Sequence, residues 1–140
     1  MSTEQNKSLA RGFYDIFNTG NTQALDEVAS TNYIQHSPGL PPGLEGVKMF
    51  MGMFRAAFPD AKLQVEALLA EGDRVSGRWV VRGTQQGELQ GIPPTGKVVM
   101  ITGIDIWRVE NGKLAEHWDN WDQLGMMQQL GVVPMPGQGR

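Results

Sequence analysis

Seven consecutive residues near the C-terminus, Glu116-His117-Trp118-Asp119-Asn120-Trp121-Asp122, concentrate carboxylates and an imidazole in a stretch that otherwise reads as a strand. A period of two places His117, Asp119 and Trp121 on one face and Glu116, Trp118, Asn120 and Asp122 on the other. Upstream, Gly103, Asp105 and Trp107 share a face of a neighbouring strand, and Asp105 stands between Ile104 and Ile106. A carboxylate there is costly unless it is paired or functional. If the inward faces meet, Asp105, Asp119 and His117 converge on one cavity. Desolvation in such a pocket raises a carboxyl pKa toward neutrality, so that the group can both take and return a proton. Spacing alone leaves a second reading open, in which Asp119 and His117 form a hydrogen-bonded pair at the surface or at a dimer interface. For Asp122 a structural role weighs more, because an Asp just before a helix commonly caps it.

Further candidates surround this group. His36 follows Tyr33 at the exit from a short helix, where it can line the pocket mouth or simply be exposed. Tyr14 lies one position off the apolar stripe of the first helix, so its hydroxyl can reach inward or serve as amphipathic packing. Trp79, Trp107, Phe50 and Phe54 are aromatic candidates for lining. Met49, Met51, Met53, Met126 and Met127 supply soft lining or plain core.

The elements that must position these groups follow from the apolar periods. Ser2 and Gln5 form a capping-box pattern, Leu9, Phe13, Ile16 and Phe17 share a helical face, and Gly20 ends the helix. A short second helix runs from about Thr22 to Val28 and leads into an irregular run, Tyr33 to Pro38. A loop over Gly39–Gly43 follows. Val47, Phe50, Met51 and Phe54 mark a third helix ended by Pro59. The period then switches to two. Leu63, Val65, Ala67 and Leu69 mark one strand, Glu71–Arg74 a turn, and Val75, Trp79 and Val81 a second strand to Gly83. A long connection, Gln85–Gly96, precedes a third strand from Lys97 to Val109. Asn111-Gly112 is a strong hairpin turn that returns the chain as a fourth strand from Lys113. Asp122 and Gly131 bracket a last helix. The expectation is a single α+β domain over residues 1–131, with N-terminal helices on a strongly curved antiparallel sheet, an internal pocket, and a flexible tail at 132–140.

Composition narrows the chemistry. At 140 residues, 40% hydrophobic and 19% charged, the chain is an ordinary globular domain, and a net charge of −3 without a basic run gives nucleic acid nothing to bind. Zero cysteines exclude disulfides, thiolate metal sites and a cysteine nucleophile. Two distant histidines do not suggest a metal centre, and no metal or cofactor is expected. The sequence lacks a nucleophile elbow, a phosphate-binding loop and a dinucleotide fingerprint. With no apolar stretch of membrane-spanning length and no signal-like start, a soluble, cytoplasmic protein is expected.

Five segments, in order, resemble the SnoaL-like polyketide cyclases, or ester cyclases, of the nuclear transport factor 2-like (cystatin-like cone) superfold. They are Phe13–Asn18, Tyr33–Pro38, Gly91–Lys97, Gly112–Asp119 and Asp122–Gly131, and the resemblance runs from about Leu9 to Gly131. It implies a cofactor-independent acid–base enzyme that closes a ring by intramolecular aldol reaction on a small apolar, polyketide-like ester. The family's aspartate near the end of the last long strand corresponds to Asp119. Its helpers on the neighbouring strand fall near Gly103 and Asp105, and Gly103 departs from a polar helper. His117 would orient Asp119, and a protonated Asp105 would hydrogen-bond the developing oxyanion. Two other classes stay open: an epoxide or lactone hydrolase, although no Arg stands two residues before Asp105 or Asp119, and a non-catalytic ligand-binding protein. Val98, Met100, Ile104 and Ile106 leave the far face of the third strand apolar, which predicts a homodimer through the sheet.

Overall fold

A computed structural model of the chain describes residues 2–36, 41–134 and 136–137. Residues 37–38 of the expected irregular run, 39–40 of the expected loop, and 135 and 138–140 of the expected tail lie outside the described residues.

Helix α1 (Thr3–Thr19) starts at a complete capping box. The Gln5 amide donates to Ser2 Oγ at 3.1 Å, and the Ser2 amide donates to Gln5 Oε1 at 2.9 Å. It ends at Gly20, whose φ of 78° is left-handed. Its buried face carries Ala10, Phe13, Tyr14, Ile16 and Phe17 onto the sheet. A 3₁₀ turn (Thr22–Ala24) and one helical turn, α2 (Leu25–Val28), follow. Helix α3 (Leu44–Ala57) buries Val47, Met51 and Phe54, and α4 (Gln123–Leu130) closes the chain between Asp122 and Gly131.

Five strands, β1 (Ala29–Gln35), β2 (Lys62–Glu71), β3 (Arg74–Thr84), β4 (Val98–Glu110) and β5 (Lys113–Trp121), form one open sheet in the order β1-β5-β4-β3-β2. The last four are an antiparallel meander. β1 is a correction to the sequence expectation: it is a strand where an irregular run was expected, and it pairs parallel with β5, so the sheet is mixed. Ser30, Thr31 and Asn32 give it no period-two apolar signal, and its ladder is broken between Ala29 and Ile34. A partner about 80 residues away holds it in place, which no local pattern encodes.

Breaks in register between Val65 and Ala67 and between Arg108 and Val109 mark bulges that bend the sheet around the helices. β5 stops opposite Gly103, leaving the first part of β4 without a strand on that side. Gln129 of α4 substitutes for it: its Oε1 accepts from the Met100 amide at 2.7 Å and its Nε2 donates to the Met100 carbonyl at 2.9 Å. The inward residues of the sheet and helices form one continuous core that includes Leu25, Phe58, Ile101, Trp107 and Leu114.

Candidate active site

Asp105 sits at the centre of the sheet, opposite Gly77 of β3 on one side and Asp119 of β5 on the other. It is 5% exposed, and three side chains converge on its carboxyl group. The Tyr14 hydroxyl donates to Oδ2 at 2.6 Å, the Trp79 indole Nε1–H donates to Oδ2 at 2.8 Å, and His117 Nε2 meets Oδ1 at 2.9 Å. The strand therefore tolerates a buried carboxylate because three side chains from α1, β3 and β5 satisfy it. Both Asp105 oxygens are thus engaged by protein partners, where the sequence expectation had one of them facing a developing oxyanion.

Two glycines make that convergence possible. A Cβ at Gly77 would stand 2.2 Å from the Tyr14 hydroxyl oxygen, and one at Gly103 would stand 2.1 Å from the Trp79 indole. Gly103, the departure from a polar helper, is thus the seat that lets Trp79 lie across β4 and bring its N–H to Asp105. Gly77 went unremarked in the sequence, although it shares the inward face of Val75, Trp79 and Val81.

His117 is buried, with both ring nitrogens engaged: Nε2 with Asp105, and Nδ1 with the Gln35 side chain at 2.8 Å. A carboxamide can accept or donate there. The ring stacks on Trp107 at 5.1 Å and on Tyr33 at 6.2 Å. Burial, reinforced by the neighbouring Asp105 carboxylate, holds the Tyr14 hydroxyl well above its ordinary pKa, and burial likewise raises Tyr33, so both are neutral phenols.

These groups form the polar wall of a cavity of about 410 Å³ between α1, α3 and the sheet, within the roughly 300–1,000 Å³ of small-molecule sites. Its apolar walls include Phe13, Phe17, Phe50, Met51, Phe54 and Trp121. Asp119 lines it half-buried, and ligand atoms of Asp105, His117 and Asp119 all lie within 4.8 Å of one another. That spacing would suit a cation, but Asp105 and His117 already spend their ligand atoms on hydrogen bonds, so a metal would have to displace them.

The structure brings Asp105, Asp119, His117, Tyr14, Trp79, Phe50 and Phe54 to this one cavity. Two candidates lie elsewhere. His36 does not reach the mouth: its Nε2 contacts Glu116 Oε2 at 2.8 Å, and its ring stacks on Trp118, on the sheet's other face. β1 and β5 run side by side, and the adjacent half-buried Glu116, shared with Arg108, captures the imidazole there. Trp107 is fully buried behind His117, donating its indole N–H to the Tyr33 hydroxyl at 3.1 Å, and so supports the ring without meeting the cavity. Met51 and Met53 line the site, whereas Met49 is exposed and Met126 is buried in the core. Asp122 is an exposed helix cap, its Oδ1 accepting from the Gly125 amide at 2.8 Å. Gln35, Gln90 and Trp121 also line the cavity; of these, only Trp121 had a sequence signal, as the inward neighbour of Asp119.

No helix among the described residues is long and apolar enough to cross a membrane. The sequence profile of the SnoaL-like polyketide cyclases matches residues 7–130. The nogalonic acid methyl ester cyclase of Streptomyces nogalater is 30% identical over 119 residues, covering 82% of this chain and 89% of that one. The aklanonic acid methyl ester cyclase DnrD of Streptomyces peucetius is 30% identical over 129 residues, covering 88% of each. Among solved structures, TsrD from Streptomyces laurentii superposes with a TM-score of 0.88 at 30% identity, over 95% of this chain and 99% of that one. Matched in sequence from α1 to α4 and in fold over nearly its whole length, the chain belongs to the SnoaL-like polyketide cyclase family.

Proposed function

We propose that this protein is a cofactor-independent cyclase that closes a ring by intramolecular aldol reaction on a polyketide-like ester, with Asp119 as the general acid and base. The observation that carries the reading is the position of Asp119: a half-buried carboxylate in an apolar cavity, beside a wall where Asp105 and His117 are locked to each other.

The chemistry needs one base. Asp119 removes a proton from a carbon flanked by carbonyls, the resulting enolate carbon bonds to a ketone carbon of the same molecule, and the alkoxide so formed takes the proton back from Asp119. No atom is gained or lost. Apolar walls exclude water, so the enolate is spent on ring closure. Asp105 acts through its neighbours as a positioning residue. By accepting from Tyr14 and Trp79 and pairing with His117, it fixes the wall against which the substrate lies.

The test offers the enzyme nogalonic and aklanonic acid methyl esters, the compounds for which two relatives are named. The expected product has the mass of the substrate, and Asp119→Asn lowers turnover by roughly 10²–10⁴-fold. A free acid released with methanol would mean a hydrolase, and unaltered turnover in Asp119→Asn would remove that residue from the chemistry.

A homodimer through the outer sheet face is part of the same proposal. Val98, Met100, Ile104 and Ile106 are 42–51% exposed in one row of β4, an apolar face of the kind that marks an interaction surface. Light scattering at micromolar concentration should give twice the chain mass, and a monomer would refute the assembly.

A further inference from the structure

The long connection between β3 and β4 is an ordered device. Gln85, fully buried, ties it together with its own side chain: Nε2 donates to the Gly87 and Ile92 carbonyls, and Oε1 accepts from the amide and hydroxyl of Thr95. The amides of Gln86 and Gly87 both donate to the Ala57 carbonyl at the end of α3, and Gly87 has no room for a Cβ, which would meet the Ala56 carbonyl oxygen at 2.4 Å. The tip is a two-residue turn closed by reciprocal backbone bonds between Leu89 and Ile92. Its central residues, Gln90 and Gly91, have φ of 48° and 86°. Both positive values are those of a type I′ turn, whose first position usually holds Asn, Asp or Gly. A glutamine there is strained backbone, and such strain tends to be kept where the side chain has work to do.

Gln90 is the one residue of this connection that lines the cavity. It is exposed, and among the described residues its carboxamide has no hydrogen-bond partner. Asn120 and Gln123, also exposed and without a hydrogen-bond partner among the described residues, line the same cavity. The opening is thus rimmed by carboxamides around an apolar, aromatic interior.

We propose that Gln90 is a specificity-determining residue: held over the cavity on a preformed turn, its carboxamide hydrogen-bonds a carbonyl or hydroxyl oxygen on the outer edge of an aromatic, ring-bearing substrate. The inference rests on reading the cavity as the site of a polyketide-like ester. A rim of neutral amides selects oxygen substituents without demanding charge, whereas lysine or arginine would select a free acid.

The test uses the full chain and two probes of similar shape, methyl 2-naphthoate and 2-propylnaphthalene, with binding followed by quenching of the cavity tryptophans. Gln90→Leu should weaken the ester about 3–10-fold, the worth of one hydrogen bond, and leave the hydrocarbon within twofold. Gln90→Gly, which relieves the turn, should lose the same ester preference while melting at or above the wild-type temperature. An unchanged ester-to-hydrocarbon ratio in both variants overturns the proposal, and so does equal weakening of both probes, which would make Gln90 mere packing. Failure of either probe to bind the wild type overturns this inference together with the cavity reading. Probe selectivity lost in the variants, in a protein that closes no ring on the methyl esters, would sink the cyclase reading alone. Ring closure with unchanged KM in the variants would sink this inference alone.

Discussion

The Tyr14 hydroxyl reaches 2.6 Å from Asp105 Oδ2 directly over Gly77, where any side chain would block it. One helix, one strand and one missing Cβ therefore share a single contact, and its energetics can be separated by mutation.

Gly77→Ala should destabilise the fold by about 1–3 kcal/mol through overpacking, and Tyr14→Phe by about 1.5–3 kcal/mol through loss of a hydrogen bond to a carboxylate. Because the alanine already displaces the hydroxyl, the double variant should cost less than the sum of the two singles. Chemical denaturation of all four proteins checks this; strict additivity would mean that Gly77 does not serve Tyr14.

At Gly103 the expected loss is functional as well as structural. Gly103→Ala pushes the Trp79 indole off β4 and removes one of the three side-chain partners of Asp105. Tryptophan emission should shift to the red, and kcat on the methyl esters should fall, with Trp79→Phe giving a similar fall in kcat. Full activity in both variants would mean that the indole N–H has no positioning role.

Asp119 and Asp122 should separate cleanly. Asp122→Asn keeps a good helix cap and should retain both activity and stability, while Asp122→Ala should cost about 1 kcal/mol in stability with kcat unchanged. Loss of turnover in Asp122→Asn, alongside an active Asp119→Asn, would transfer the chemistry to the other face of β5.

Alkaline titration reports on the wall itself. Tyr14 and Tyr33 are the only tyrosines, and both have folded pKa values raised above the unfolded one by burial. A raised folded value contributes stability that is complete below the ordinary tyrosine pKa of about 10 and fades as pH climbs above it. Phenolate absorbance near 295 nm should therefore appear only together with loss of the circular dichroism signal. A phenolate signal with one-tyrosine amplitude in the folded protein would show that one hydroxyl is solvent-accessible.

By itself the sequence determined every feature governed by local rules. The capping box at Ser2, the glycine stops at Gly20 and Gly131, the Asn111-Gly112 turn and the four-strand meander follow from period and turn chemistry, and so does the sharing of one face by His117, Asp119 and Trp121, though not which face turns inward. Tertiary structure decided what depends on distant partners. β1 exists as a strand because β5 offers it a parallel edge, and that placement sends His36 to Glu116 instead of the pocket. Trp107 and Trp79 both face inward, yet only the second meets the cavity, because His117 stacks over the first and Gly103 makes room for the second. Gln90 reaches the site only through the folded connection that Gln85 ties together. A strand's period says which face a side chain takes; the cross-strand register and the volume of its neighbours say what it touches there, and those are fixed only when the sheet and helices close on one another.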